Sequence, residues 1–302
     1  MSDYEFITYE QLSHNRVVRL MLNRPETRNA QNRGMLVELD DAFMRAERDD
    51  DVRVVILGGN GPMFSSGHDM GSKRAMEEYA SHPTRFVHGG SRKGSEAMML
   101  QEWFYYFQNT LRWRNLRKIT IAQVQGPVYS AGLMLTWCCD LIVAADNTTF
   151  ADVVSTRLGM AGVEYFAHPW EFGPRKTKEL MLTGDSIDAD EAHRLGMVSK
   201  VFPAQELADR TLEFAERIAK VPTVAALLVK ESVNQTTDAM GFTSALHACF
   251  SIHQLNHAHW ASITNGQNQV GTHELDPDIQ DWRTAPPVQN AEKTKVGTAP
   301  QT

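Results

Sequence analysis

Two short runs of small residues stand where a chain could do chemistry with its backbone alone. Ser130-Ala131-Gly132 follows the β-branched run Ile119-Thr120-Ile121-Ala122-Gln123-Val124 and precedes Leu133 to Cys139, which is apolar all round. The order strand, small turn, buried helix leaves N–H groups bare at a helix N-terminus. Small side chains let a ligand approach that backbone closely. The bare donors and the helix dipole favour negative charge there, so the turn could stabilise an oxyanion. Tight packing is the alternative use of such residues. A second turn, Phe64-Ser65-Ser66-Gly67-His68-Asp69, follows the apolar run Val54-Val55-Ile56-Leu57. Two such turns, each after a buried strand, could converge on one carbonyl oxygen. A third candidate is the run His247, His253, His257 and His259. His253 and His257 share a helix face at i, i+4, which invites a metal. No H-E-x-x-H pattern is present and no acidic third ligand stands out, so no metal is expected.

The elements that must position these turns alternate. Phe6 to Glu10 and Val17 to Leu22 read as a hairpin, followed by a helix to Arg48 with Met35, Leu36, Leu39, Phe43 and Ala46 on one face. The strand at Val52 completes a β-α-β unit. Between Gly71 and Ala97 the pattern lapses, and the stretch reads as a long substrate-side flap or a plain surface loop. Ala97 to Leu116 is an aromatic-rich helix, read as core or subunit interface. Leu141 to Ala145 is another buried strand. From Ala204 to about Thr264 the chain reads as three helices broken near Pro222 and Gly241. The alternation predicts an α/β fold. The expected organisation is a core over 1–202, a helical region over 203–264 and a polar, extended or disordered tail over 265–302.

Composition narrows the classes. The 302 residues are 42% hydrophobic and 22% charged, as in an ordinary globular protein. A net charge of −7 offers no basic face for nucleic acid, though it leaves room for a phosphorylated small ligand. No apolar stretch is long enough to span a bilayer, and Met1 to Glu5 has neither a basic n-region nor an apolar h-region, so neither membrane span nor signal peptide is expected. The three cysteines Cys138, Cys139 and Cys249 form no disulfide framework, which suggests a reducing, cytoplasmic location. The Gly58 loop is neither G-x-G-x-x-G nor a P-loop, and Tyr129-Ser130-Ala131 is not a nucleophile elbow.

Four segments in order resemble the crotonase superfamily, the enoyl-CoA hydratase/isomerase family. Leu22-Asn23-Arg24-Pro25-Glu26-Thr27-Arg28-Asn29-Ala30 is similar to its L-N-R-P-x-x-x-N-A segment. Phe64-Ser65-Ser66-Gly67-His68-Asp69 is similar to F-x-x-G-x-D. Gln125-Gly126 through Gly132 to Cys139-Asp140 is similar to N-G-x-x-x-G-G-G running on to C-D. Leu182 through Pro203 is similar to the T-G-x-x-x-x-A-x-x-A-x-x-x-G-L-V-x-x-V segment. Together they span about residues 5 to 260.

The resemblance implies a spiral of β-β-α turns with a C-terminal helical trimerisation region, assembled as a homotrimer or a dimer of trimers. It implies an acyl-CoA substrate, with coenzyme A as part of that substrate and no separate cofactor. The oxyanion donors fall on the N–H of His68 and the N–H of Ala131, each worth roughly 3–4 kcal/mol where charge develops. Ala131 stands where the family usually has Gly, which a backbone donor tolerates if φ is negative. Coenzyme A would lie against Arg28, Asn29, Ala30, Ser66, His68 and Met70.

The two glutamates of the family's hydratases are missing. One position is Met134; the other falls in Phe150-Ala151-Asp152-Val153-Val154-Ser155. A Met cannot move a proton. Asp152, Glu164 and His168 are the substitutes within reach in sequence. Each has a structural alternative: Asp152 as a cap or partner of Arg157, Glu164 as a first-turn helix acid, His168 as an interior histidine. The expected activity is therefore enoyl-CoA hydration or isomerisation with relocated acid/base groups. C–C cleavage, thioester hydrolysis and non-catalytic acyl-CoA binding are the alternatives.

Overall fold

A computed structural model describes residues 4–81, 94–264 and 284–291. The α/β expectation holds. The main sheet has six strands, β1 (Ile7–Leu12), β2 (Val17–Leu22), β3 (Val54–Gly59), β4 (Ile119–Val124), β6 (Leu141–Ala145) and β9 (Lys200–Phe202), in the order β1-β2-β3-β4-β6-β9. Only the β1–β2 hairpin pairs antiparallel; the rest of this sheet is parallel. A second sheet holds β5 (Pro127–Tyr129), β7 (Thr149–Ala151) and β8 (Ile187–Asp188), in the order β5-β7-β8.

The apolar run of β3 is buried along its whole length because both sheet faces are covered. Val55 and Leu57 join the larger core with Leu39 and Phe43 of α1 (Arg33–Arg48). Val54 and Ile56 face the other way, onto Leu207, Ala215 and Ala219 of α10 (Leu207–Ala219). The register Val54↔Ile119 to Leu57↔Ala122 aligns β3 with β4, so the loops after both strands emerge side by side. Carboxyl ends of adjacent parallel strands are where such folds place ligands. Asp140 pins the start of β4: its Oδ2 accepts from Thr120 N at 2.8 Å and from Lys230 Nζ at 3.0 Å, tying in α11 (Thr223–Ala239).

Two sequence expectations change. Within the stretch 71–97 a helix, α2 (Lys73–Ser81), has formed. Its Glu78 accepts from Asn32 Nδ2 at 2.7 Å and from the Gly34 N–H at 3.1 Å, satisfying donors at the N-terminus of α1. That tertiary anchor is invisible to local periodicity. The rest of the expected flap, 82–93, lies outside the described residues. The aromatic helix is three pieces: α3 (Gly94–Gln101), a π-helical turn over Glu102–Gln108, and α4 (Asn109–Arg114). Tyr105, Phe107 and Trp113 are core, whereas Trp103 is exposed.

The three C-terminal helices are α10, α11 and α12 (Phe242–Ile263). α12 brings His253 and His257 into the interior. Of the tail, 284–291 returns to the second sheet, where Ser186 N donates to Gln289 O at 2.7 Å and Ala291 N to Ser186 O at 2.7 Å. The tail's other residues lie outside the described ones. No described helix is long and apolar enough to cross a membrane.

Candidate active site

The two small-residue turns are joined to each other. Ser65 and Val128 form a parallel bridge, and Tyr129 N donates to Ser65 O at 3.0 Å. His68 and Ala131 each lie three residues past that bridge on segments running the same way. A Cβ on Gly132 would sit 2.8 Å from Ser65 O, and one on Gly67 only 3.1 Å from Ala131 N. Both positions need Gly because the two backbones touch. Gly67 also has φ +99, which carries the chain from Ser65 round to His68.

Ala131 is the first residue of α5 (Ala131–Trp137), and its N–H has no hydrogen-bond acceptor among the described residues. The same is true of the His68 N–H. The family's small residue at position 131 is thus replaced at no conformational cost. The unusual conformation falls one residue earlier: Ser130 has φ 48 and ψ −119, while its N–H donates to Ala151 O at 2.8 Å. Non-Gly residues in this region cost about 1–3 kcal/mol and cluster at functional sites. Here the strain aims the first N–H of α5 out of the helix.

Among the acid/base candidates, the structure brings Glu164 to the turn that carries His68. Its Oε2 lies 3.1 Å from His68 Nε2, and the His68 ring stacks on Tyr106 at 3.7 Å. Glu164 is in irregular chain and is no helix first-turn acid. Burial pushes its carboxyl up, but the His68 imidazole beside it and the charge of His253 hold it below the ordinary value.

Asp152 and His168 go elsewhere. They pair with each other at 3.0 Å, at 2% and 1% exposure. Asp152 also accepts from Val154 N and Val163 N, both at 3.1 Å. Asp152 therefore acts as a cap and His168 as an interior histidine. Arg157, the alternative partner of Asp152, instead donates to Pro286 O at 2.6 Å. Because Val163 precedes Glu164, this pair braces the segment that presents Glu164. Met134, at the first position where the resemblance implies a glutamate, is a buried apolar side chain of α5.

The positions expected to meet coenzyme A divide. Asn29 is fully buried and its side chain is occupied by Arg24 N, Asn60 O and Met63 O, so it holds the loop. Arg24 is buried too, bonded to Ala30 O at 2.6 Å and paired with Asp69 at 2.8 Å. Arg28 and Met70 are exposed, and Ala30 and Ser66 half-exposed, so these four can face a ligand. His68 offers its backbone.

Sequence reasoning missed one residue. Glu102, the first residue of the π-helical turn, places Oε2 2.9 Å from His257 Nε2 and 3.6 Å from His253 Nε2. Glu164 Oε1 is 3.7 Å from His253 Nε2. A buried chain of groups thus runs from His68 through Glu164 and His253 to Glu102 and His257. Burial would lower His253, but its contact with Glu102 and the charge of Glu164 raise it, to about 9. Burial would raise Glu102, and the two imidazoles hold it well below the usual carboxylate range. The available signal was a lone acid in an aromatic-rich helix.

Comparison with known proteins agrees with this architecture. The family model described as Enoyl-CoA hydratase/isomerase matches residues 13–265. A Mycobacterium tuberculosis (strain ATCC 25618 / H37Rv) protein named "Putative enoyl-CoA hydratase EchA13" is 63% identical over 297 residues, 97% of this chain and 93% of that protein. The 4-chlorobenzoyl coenzyme A dehalogenase-2 of Arthrobacter sp is 29% identical over 252 residues, 81% of this chain and 84% of that one. The crystal structure of a probable enoyl-CoA hydratase from Mycobacterium smegmatis superposes with a TM-score of 0.77 at 41% identity, covering 86% of this chain and 98% of that one. The chain is a member of the enoyl-CoA hydratase/isomerase family.

Proposed function

We propose that the chain acts on an enoyl-CoA thioester whose carbonyl oxygen is held by the N–H groups of His68 and Ala131. Glu164 serves as the acid/base group in place of the absent glutamates. One observation carries this reading. Glu164 is bonded to the side chain of His68, the residue whose backbone is proposed as one donor, which supports a proton acceptor on that side of the site. As negative charge grows on the oxygen the two N–H groups stabilise it, and Glu164 handles the proton at the adjacent carbon. Coenzyme A lies over Arg28, Ala30, Ser66 and Met70 and enters as part of the substrate, with no separate cofactor.

The apolar Met134 supports a second reading, a different reaction on the same thioester such as C–C cleavage or hydrolysis, or binding without turnover. The Arthrobacter relative, a 4-chlorobenzoyl coenzyme A dehalogenase by name, fits that breadth. Val224, Leu228, Val229 and Val233 leave an exposed apolar face on α11, which supports assembly with further copies as a trimer or dimer of trimers. Three free cysteines fit the expected reducing, cytoplasmic compartment.

The test is mass spectrometry of short and long enoyl-CoA thioesters after incubation with the protein in deuterated water. Gain of one water supports the hydratase reading, and deuterium uptake without hydration supports isomerisation. No change with a thioester that calorimetry shows to bind favours the binder.

A further inference from the structure

We infer that Glu102, His253 and His257 form a binding site for one divalent transition-metal ion, with Glu164 at its edge. The inference stands on this cluster's own geometry, whatever the reaction at the thioester site.

The three ligand atoms converge. Glu102 Oε2 and His257 Nε2 are 2.9 Å apart, the two imidazole Nε2 atoms 3.1 Å, and Glu102 Oε2 and His253 Nε2 3.6 Å. A triangle with these edges has a point about 2.1 Å from all three corners, roughly 1 Å out of their plane, and that is the bond length zinc makes with nitrogen and carboxylate oxygen. The height lies between those of a tetrahedral and an octahedral facial triad, so one or more positions stay open. Glu164 Oε1, at 3.7 Å from His253 Nε2, is the nearest further carboxylate.

The surroundings fix the ligands. His253 Nδ1 lies 2.8 Å from the Gly162 carbonyl oxygen, which can only accept. A proton therefore sits on Nδ1, and Nε2 faces the cluster, where a metal would take the place of a second proton. Gln254 Nε2 donates to Glu102 Oε2 at 3.0 Å and steers the carboxylate. His253 and His257 are one turn apart on α12, so a single helix presents both rings.

The two imidazole Nε2 atoms face each other at 3.1 Å, close enough for one N–H to bridge them or for both lone pairs to meet one cation. Glu102 and Glu164 are both buried and set against these imidazoles. Glu102 also opens a π-helical turn, a rare geometry that occurs most often at functional sites. Two imidazoles and one carboxylate suit zinc, cobalt, iron(II) or manganese rather than calcium.

The experiment uses the full chain, stripped with a chelator and dialysed, then titrated with Co²⁺ and competed with Zn²⁺. The expected result is one Co²⁺ per chain with visible d–d absorption, displaced by one Zn²⁺, and a melting temperature raised by either ion. Glu102→Gln and His257→Gln, each checked for native circular dichroism, should weaken Co²⁺ binding at least about 100-fold. His259→Gln, on the exposed side of α12, should leave it unchanged. Failure of the wild-type chain to take up stoichiometric Co²⁺ or Zn²⁺ overturns the inference. So does binding that survives Glu102→Gln and His257→Gln, or that is lost in His259→Gln. Activity is not read, so failure of the thioester reading would leave these outcomes intact.

Discussion

Two carboxylate–imidazole pairs of nearly equal length sit in this molecule, His68–Glu164 at 3.1 Å and Asp152–His168 at 3.0 Å. Their distances do not separate them; what else each carboxylate does separates them. Asp152 is engaged by two backbone N–H groups besides its imidazole and is sealed from solvent. Glu164 has no backbone donor among the described residues, and its partner is the side chain of His68, whose N–H we propose meets the thioester. A saturated carboxylate holds a loop, whereas one with spare lone pairs beside a binding turn can take a proton. Acid/base candidacy is thus a matter of unused valence and position rather than of pairing.

The contrast can be broken by mutation. Glu164→Gln should cut turnover on any accepted thioester by about 10²–10⁴-fold with little change in melting temperature, as removal of a general acid/base does. Comparable loss from Asp152→Ala in folded protein would erase the distinction. Asp152→Ala should instead cost about 3–5 kcal/mol of stability, because it leaves His168 and the Val163 N–H buried without a partner; denaturant unfolding measures it. Gly67→Ala tests the close approach of the two turns. Its Cβ would lie 3.1 Å from Ala131 N at φ +99. The expected cost is about 1–3 kcal/mol, with kcat/KM falling at least about tenfold.

Glu171 sharpens the comparison as a carboxyl with no imidazole. It has no side-chain partner among the described residues, and burial pushes it up to about 7 from 4.5. A raised carboxyl binds its proton more tightly in the folded state, so stability falls as pH rises from about 4.5 to 7. Glu171→Gln should therefore stabilise the protein by about 1–2 kcal/mol at pH 8 and change little at pH 5. Melting curves at the two pH values check the sign.

Much of the backbone site was legible. The apolar runs of β3 and β4 and the small residues after them are local signals, and both turns stand at the ends of those strands. His253 and His257 were visible as a pair at helical spacing. The partners were not. Glu102 meets them from a segment about 150 residues earlier, and nothing local reveals a π-helical turn. Helix α2 escaped because Glu78, reaching across to Asn32 and Gly34, does what a regular apolar stripe would otherwise do. Asp152 and His168 were both found, but only their contacts show that each completes the other. Sequence names the residue types; long-range contacts decide which are spent on structure.

The most direct test is deuterium incorporation from solvent into an enoyl-CoA thioester, compared between the wild-type chain, Glu164→Gln and Asp152→Ala at equal amounts of folded protein. The account predicts incorporation by the wild type and Asp152→Ala and near absence with Glu164→Gln. Wild-type incorporation by Glu164→Gln would contradict the assignment of Glu164, and loss with Asp152→Ala alone would move the acid/base role to the pair described here as structural.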